Sequence, residues 1–203
     1  LSAPVVVGGE APFVTPSSDE AALIAAVAQT LAMRGALRKS GRVHADSSAL
    51  STTGAGARKL GLGSSGAVAA GLTAALATDD ALASWSPADL VEIAVEAHKR
   101  FQNGRGSGAD IAASVFGGVI RFERGRAPVP IAIPDTLEMA VFDTGVSAHT
   151  PTLVGAVKAR AADDASGAAD VLGAAVGLAE EGVQALTRGD VSAWCRVVDA
   201  YAG

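Results

Sequence analysis

Apolar residues recur at helical spacing from Asp19 to Leu37: Leu23, Val27 and Leu31 fall on one face, and acids occupy the first turn. The breaker Pro16-Ser17-Ser18 precedes this segment, and before it Pro4 to Gly9 reads as a short valine-rich strand ended by a glycine turn. Between Arg42 and Leu50 the pattern switches to alternation, Val43 and Ala45 against His44 and Asp46, as in a half-buried strand. A polar loop, Ser51 to Ser64, then leads into an alanine-rich helix from Ser65 to Thr78. Ser86-Pro87-Ala88-Asp89 predicts another helix start, with a capping serine, proline in the first helical position and an acid placed for a capping box. That helix runs to about Phe101 and stops at Asn103-Gly104.

A second glycine-serine loop, Gly104 to Asp110, opens a short helix from Ile111 to Phe116. Gly117-Gly118 turns the chain into a strand, Val119 to Phe122, and Glu123-Arg124-Gly125-Arg126 reads as a solvated, hairpin-like turn. Val129 to Ile133 and Glu138 to Phe142 are expected as further strands. The remainder is helical in pattern: Thr150 to Ala162, Ala165 to Ala185, and a last helix opened by Asp190 that runs through Trp194 to Tyr201. No internal repeat is evident, and strands joined by short turns among helices point to α+β rather than strictly alternating α/β.

Composition narrows the class. With 203 residues, 49% of them hydrophobic, the chain can bury a core as one body or two small lobes. Aromatics are only 4%, so that core must be built from closely packed Ala, Val, Leu and Ile. A net charge of -5 argues against a general nucleic-acid binder, and the basic run Arg34 to Lys39 reads as a solvated helix end. The lone cysteine, Cys195, excludes an internal disulfide framework and is expected to be a small packing residue. The apolar stretch Ser65 to Thr78 is too short for a membrane span, and the N-terminus lacks a leader pattern, so a cytoplasmic location is expected. Leu1-Ser2-Ala3-Pro4 begins as though in mid-protein, which suggests a piece of a longer chain.

Candidate chemistry concentrates in the loops. Lys59-Leu60-Gly61-Leu62-Gly63-Ser64-Ser65-Gly66 runs straight into the alanine-rich helix. Glycines allow close backbone approach, and the unpaired N–H groups at a helix start point at whatever occupies the loop. The helix dipole adds positive potential, so the arrangement suits a phosphate, and the two hydroxyls add phosphate donors or a magnesium ligand. Gly61, Gly63 and Gly66 also satisfy the dinucleotide pattern, but Thr53 to Lys59 before them is polar and glycine-rich where that pattern needs a hydrophobic strand. Asp79-Asp80, at the distance of the required acid, follows a helix instead of a strand. No Gly-Lys-Ser/Thr ends the loop, which excludes a P-loop. A tight loop without a ligand is the other reading.

Together the two loops resemble the GHMP kinases, the superfamily of galactokinase, homoserine kinase, mevalonate kinase and phosphomevalonate kinase. Gly61-Leu62-Gly63-Ser64-Ser65-Gly66-Ala67 is similar to its phosphate-loop signature P-x-x-x-G-L-G-S-S-A-A, with Ala57 in place of the proline and Gly66 in place of the first alanine. Lys59 with the glycines and serines is similar to the phosphomevalonate kinase form K-x-G-L-G-S-S. Ala97-His98 through Gln102 to Gly106-Ser107-Gly108-Ala109-Asp110-Ile111-Ala112-Ala113 resembles that kinase's A-H-x-x-A-Q-G-x-x-G-S-G-F-D-V-A-A, whereas mevalonate kinases have S-G-x-D-N. Asp143 to Val154 carries a weaker likeness, to a G-x-S-A-x-T segment. The superfamily's N-terminal P-G-K-x-x-x-x-G-E and C-terminal G-x-G-G-G motifs are not found, which suits a chain missing its ends.

The resemblance implies a two-lobed α+β fold. Residues 1–134 would form an incomplete N-terminal nucleotide-binding domain, like the second domain of a small-subunit ribosomal protein. Residues 135–203 would begin a ferredoxin-like, mostly helical C-terminal domain. It also implies ATP- and magnesium-dependent phosphoryl transfer to 5-phosphomevalonate in isoprenoid biosynthesis. Mevalonate kinase or another GHMP small-molecule kinase is the nearest alternative; a Rossmann-type protein and an inactive ATP-binding relative stand further off. Lys59, Gly61, Leu62, Gly63, Ser64, Ser65 and Gly66 would bind ATP, with Ser65 on magnesium; Lys59 reads equally as a solvated loop lysine. Asp110 would face the acceptor as a positioning group first and a base second, or else it caps the helix that begins at Ile111. Gly106, Ser107 and Gly108 would line the acceptor site, with Ser147 and Thr150 as weaker candidates. His98 and His149 are read as structural. The implied partner is a small-molecule acceptor, without nucleic acid or membrane, and a homodimer is compatible with the pattern.

Overall fold

The computed structural model describes residues 5–7, 19–39, 41–43, 45–52, 58, 60–143, 145 and 150–202. Two compact units follow one another, Leu1–Val129 and Pro130–Gly203. In the first, strands β1 (Val5–Val7) and β2 (Gly41–Val43) pair antiparallel, Val5 opposite Val43 and Val7 opposite Gly41. Between them lies helix α1 (Asp19–Met33). After β2 a 3-10 turn (Ser48–Leu50) leads to α2 (Ser64–Leu76), α3 (Asp79–Ser84), α4 (Pro87–Phe101) and α5 (Ala109–Phe116). Strands β3 (Val119–Arg121) and β4 (Val129–Ile131) form a second two-stranded sheet. The architecture is α+β, as the pattern of elements predicts.

The core of this unit is where α1, α2, α4 and α5 pack together. Val27 and Leu31 from α1, Leu72 and Leu76 from α2, Ile93 from α4 and Ile111 from α5 are buried in one cluster. Each such side chain contributes about 1.5–3 kcal/mol relative to an exposed one. Ala69, Ala94 and Ala97 fill the spaces between, so the helices approach closely without aromatic residues. Thr30 and Thr73 are fully buried, and their hydroxyls donate to the carbonyls of Ala26 and Ala69 one turn back.

Local chemistry sets the ends of these helices. Ser86 and Asp89 form the expected reciprocal capping box at α4: the Asp89 N–H reaches the Ser86 hydroxyl at 3.2 Å, and the Ser86 N–H reaches the Asp89 carboxylate at 2.8 Å. The α4 surface is tied to α1 through Glu96, which accepts from Arg34 at 2.7 Å and from Arg100 at 2.9 Å. Arg38 pairs with Asp79 at the start of α3. The basic run is therefore solvated, and two of its arginines also tie the segment after α1 to α4 and α3.

The second unit contains α6 (Thr150–Asp163), α7 (Ala165–Thr187) and α8 (Val191–Ala202), with α7 packed against both of the others. Asp190 opens α8 as expected, its carboxylate accepting from the Ala193 N–H at 2.8 Å. Several sequence expectations are corrected here. Glu138 to Phe142 is not a strand, and Val141 and Phe142 are each 84% exposed. The strands expected over Arg42–Leu50 and Val129–Ile133 shrink to β2 and β4, because extended backbone becomes a strand only where a neighbour pairs with it. Asp79-Asp80, read as the end of a helix, begin α3, which Thr78 caps through the Ala81 N–H. Cys195 is exposed and is not a packing residue.

Candidate functional site

Two helices begin in the same way. Gly63 precedes α2 at φ 73° and Gly108 precedes α5 at φ 88°, a left-handed backbone that other residues resist. Neither helix has a side-chain cap at that position. In α2 the Ala67 N–H is bonded to the Gly63 carbonyl, so Ser64, Ser65 and Gly66 supply the first-turn N–H groups that precede the helical ladder. The hydroxyl-bearing Ser64 and Ser65 are half-buried, while Gly61 and Leu62 are exposed. The base of this loop is held by a short ladder: Leu60 N–H to the Leu50 carbonyl at 2.9 Å and Thr52 N–H to the Arg58 carbonyl at 2.8 Å. The Thr52 hydroxyl also accepts from the Arg58 N–H at 2.9 Å. Residues 53–57 and Lys59 lie outside the described residues.

The second loop closes the C-terminus of α4. The Gly104 N–H bonds to the Lys99 carbonyl at 2.7 Å, and Asn103 takes a left-handed φ of 53°. The Ser107 hydroxyl accepts from the Ala109 N–H at 3.2 Å, tightening the entry to α5. Gly108 is buried against α4: a Cβ there would lie 2.5 Å from Val95 Cγ2. Arg124, on the turn after β3, donates to the Gly106 carbonyl at 2.9 Å. Sequence reasoning took that turn as merely solvated, and with the partners 18 positions apart no spacing rule signals the contact.

The two loops meet at Asp110. A Cβ added to Gly63 would lie 3.4 Å from Asp110 Cβ, and one added to Gly66 would lie 2.5 Å from Asp110 Oδ2 and 2.7 Å from Asp110 Cγ. Gly63 and Gly66 are three apart, hence on one face of the start of α2, and the Asp110 side chain occupies the notch they leave. Asp110 therefore does not cap α5. It stands in the first turn behind the Gly108 cap, with its side chain against the first turn of α2.

Beneath the second loop sits His98, buried, its Nε2 3.4 Å from Gln102 Nε2 and its ring 5.9 Å from that of Phe101. Burial holds its imidazole below the ordinary 6.5, and the Asp110 charge opposes that shift. Its burial inside α4 suits the structural reading of this histidine. His149 and Ser147 lie outside the described residues, and Thr150 begins α6 in the second unit, with its side chain not described. A cleft of about 720 Å³ lies elsewhere, between Arg34, Thr78, Asp80 and Trp85, and shares no residue with either loop. Convergent glycines, first-turn N–H groups and a carboxylate outweigh its volume as a sign of chemistry. Among the described residues no group of three or more His, Cys, Asp or Glu could hold a metal, and no helix is long and apolar enough to cross a membrane.

Two glycine-led helix starts thus meet at one carboxylate, with first-turn N–H groups that suit an anion, and the comparisons with known proteins bear on what such a pair belongs to. Residues 22–118 match the family described as GHMP kinases N terminal domain, so the first unit carries that domain. It is 35% identical over 150 residues to the mevalonate kinase of Aeropyrum pernix, an alignment covering 71% of this chain and 44% of that protein. The chain thus spans less than half the length of this relative. No solved structure matches it. Helix α2 packs on α1, α4 and α5, and the next element is the helix α3 where a dinucleotide-binding unit has a parallel strand, which counts against that alternative.

Proposed function

We propose that the protein is an ATP-dependent kinase that transfers the γ-phosphoryl group to 5-phosphomevalonate. The observation that supports this reading is the seating of Asp110 against Gly63 and Gly66, which brings a carboxylate to a helix start suited to a triphosphate. In this reading Gly61, Leu62, Gly63, Ser64, Ser65 and Gly66 hold the ATP phosphates, Lys59 neutralises their charge, and Gly106, Ser107 and Gly108 line the acceptor side. Ser147 and Thr150 are further acceptor candidates from the second domain, residues 135–203. Magnesium fits the donors at hand, because the Ser65 hydroxyl and the Asp110 carboxylate are hard oxygens and phosphates and water can complete its shell. Bound there, it would neutralise charge on the phosphates being transferred. Asp110 orients the acceptor; a phosphate acceptor already ionised near neutral pH has little need of a strong base.

Arg124, held 2.9 Å from the Gly106 carbonyl, and the neighbouring exposed Arg105 bring positive charge to the second loop, which favours an acceptor that already bears phosphate. Mevalonate is the second reading, because the aligned relative is a mevalonate kinase. A coupled ADP-release assay with each acceptor separates them. The account expects 5-phosphomevalonate to be preferred, and a wide preference for mevalonate overturns that assignment while leaving the kinase reading in place.

A further inference from the structure

We infer that Gly66 is a positioning residue: its missing side chain forms the seat that fixes the Asp110 carboxylate at the start of α2. The inference rests on the kinase reading above and deepens it. A methyl group at Gly66 would meet Oδ2 at 2.5 Å, Cγ at 2.7 Å and Cβ at 3.1 Å of Asp110, so the whole carboxyl group has to leave its present place. A torsional change at the tip alone cannot relieve the overlap, because Cγ itself is too close. Backbone retreat is opposed as well. Ile111 and Ala112, immediately after Asp110, are fully buried, and Ala69 and Ala70 are buried one turn after Gly66. Asp110 therefore swings into another side-chain rotamer while α5 stays packed.

Gly66 is buried and inside the helix, so the usual reading of such a glycine is a mere weakness in α2. The two readings predict opposite results. If Gly66 only weakens the helix, Gly66→Ala raises stability and leaves turnover alone. If Gly66 seats Asp110, Gly66→Ala leaves a folded protein that binds nucleotide but transfers poorly, because a displacement of about 1 Å in a reacting group can cost on the order of a hundredfold in rate.

The test uses Gly66→Ala, Gly66→Ser, Asp110→Ala and the double variant Gly66→Ala/Asp110→Ala in the full chain. Turnover is measured by ADP release, nucleotide affinity with a fluorescent ATP analogue, and Tm by thermal denaturation. The expected result is at least a tenfold fall in kcat at saturating ATP for Gly66→Ala and Gly66→Ser. The Tm shifts of the two single variants should not sum to that of the double, because Asp110→Ala removes the carboxyl that the new methyl meets. Wild-type kcat in Gly66→Ala while Asp110→Ala is impaired, or additive Tm shifts, overturns the inference. Failure of the kinase reading is distinguishable: the wild-type chain itself would then release no ADP with either acceptor.

Discussion

Replacing Gly108 by alanine tests how the second loop is built. Two penalties act at this position. The residue sits at φ 88°, where a side chain costs about 1–2 kcal/mol, and the added Cβ would lie 2.5 Å from Val95 Cγ2 and 3.2 Å from its Cγ1. Val95 is partly buried on α4 against the core, so it cannot swing free, and overpacking of this kind costs about 1–3 kcal/mol. Gly108→Ala should thus destabilise the protein by about 2–5 kcal/mol, read from the urea midpoint at constant m. The second variant separates the terms. In the Gly108→Ala background, Val95→Ala should cost less than it does alone, by about 1–2 kcal/mol, because it relieves the clash while the backbone penalty remains. A Gly108→Ala variant within 0.5 kcal/mol of wild type (the usual range for a neutral surface change), or strictly additive effects, refutes the reasoning.

Ser86→Ala removes the capping-box hydroxyl from α4 and should lower stability by about 0.5–2 kcal/mol, measured by urea denaturation, with Ser86→Thr largely retaining it. The Glu96 carboxyl is held below the usual range by hydrogen bonds from Arg100 and Arg34, so its contribution is present above the unfolded pKa and is lost as pH falls through the lower folded one. Glu96→Gln should therefore flatten the acid limb of the stability curve, and an unchanged limb argues against the linkage. His98 works at higher pH. Its folded pKa lies below 6.5, so the unfolded chain binds the proton first and stability falls as pH drops from 6.5 towards the folded value. His98→Gln should abolish that slope in a Tm profile between pH 7 and pH 5 (a window set by the ordinary histidine pKa).

Local rules carried much of this fold. The capping box at Ser86, the glycine starts of α2 and α5, and the Asp190 start of α8 are all set by residues within one turn of each other, which is why they are legible in the chain. The Thr78 cap followed by two acids is equally local, and the reading that ended a helix at Thr78 passed over the short α3 that this cap opens. Strands were the weaker part. Glu138 to Phe142 has a strand-like composition, yet pairing depends on a neighbour that no window of sequence contains. At the site, the two loops can be found separately by their glycines and serines. Their meeting at Asp110 arises from the packing of α2 on α5 across more than forty residues, and the Arg124 contact with Gly106 depends on where β3 delivers its turn. Cys195 shows the converse error: a small residue in an apolar helix pattern was assigned to the interior, but it falls on the exposed side of α8.

The central claim is that one loop grips the triphosphate while Asp110 serves the acceptor side of the same site. It is tested most directly by measuring nucleotide affinity and single-turnover phosphoryl transfer on Asp110→Ala. The account predicts affinity within about threefold of wild type and transfer slowed by a factor on the order of a hundred or more. Transfer at the wild-type rate in that variant contradicts it.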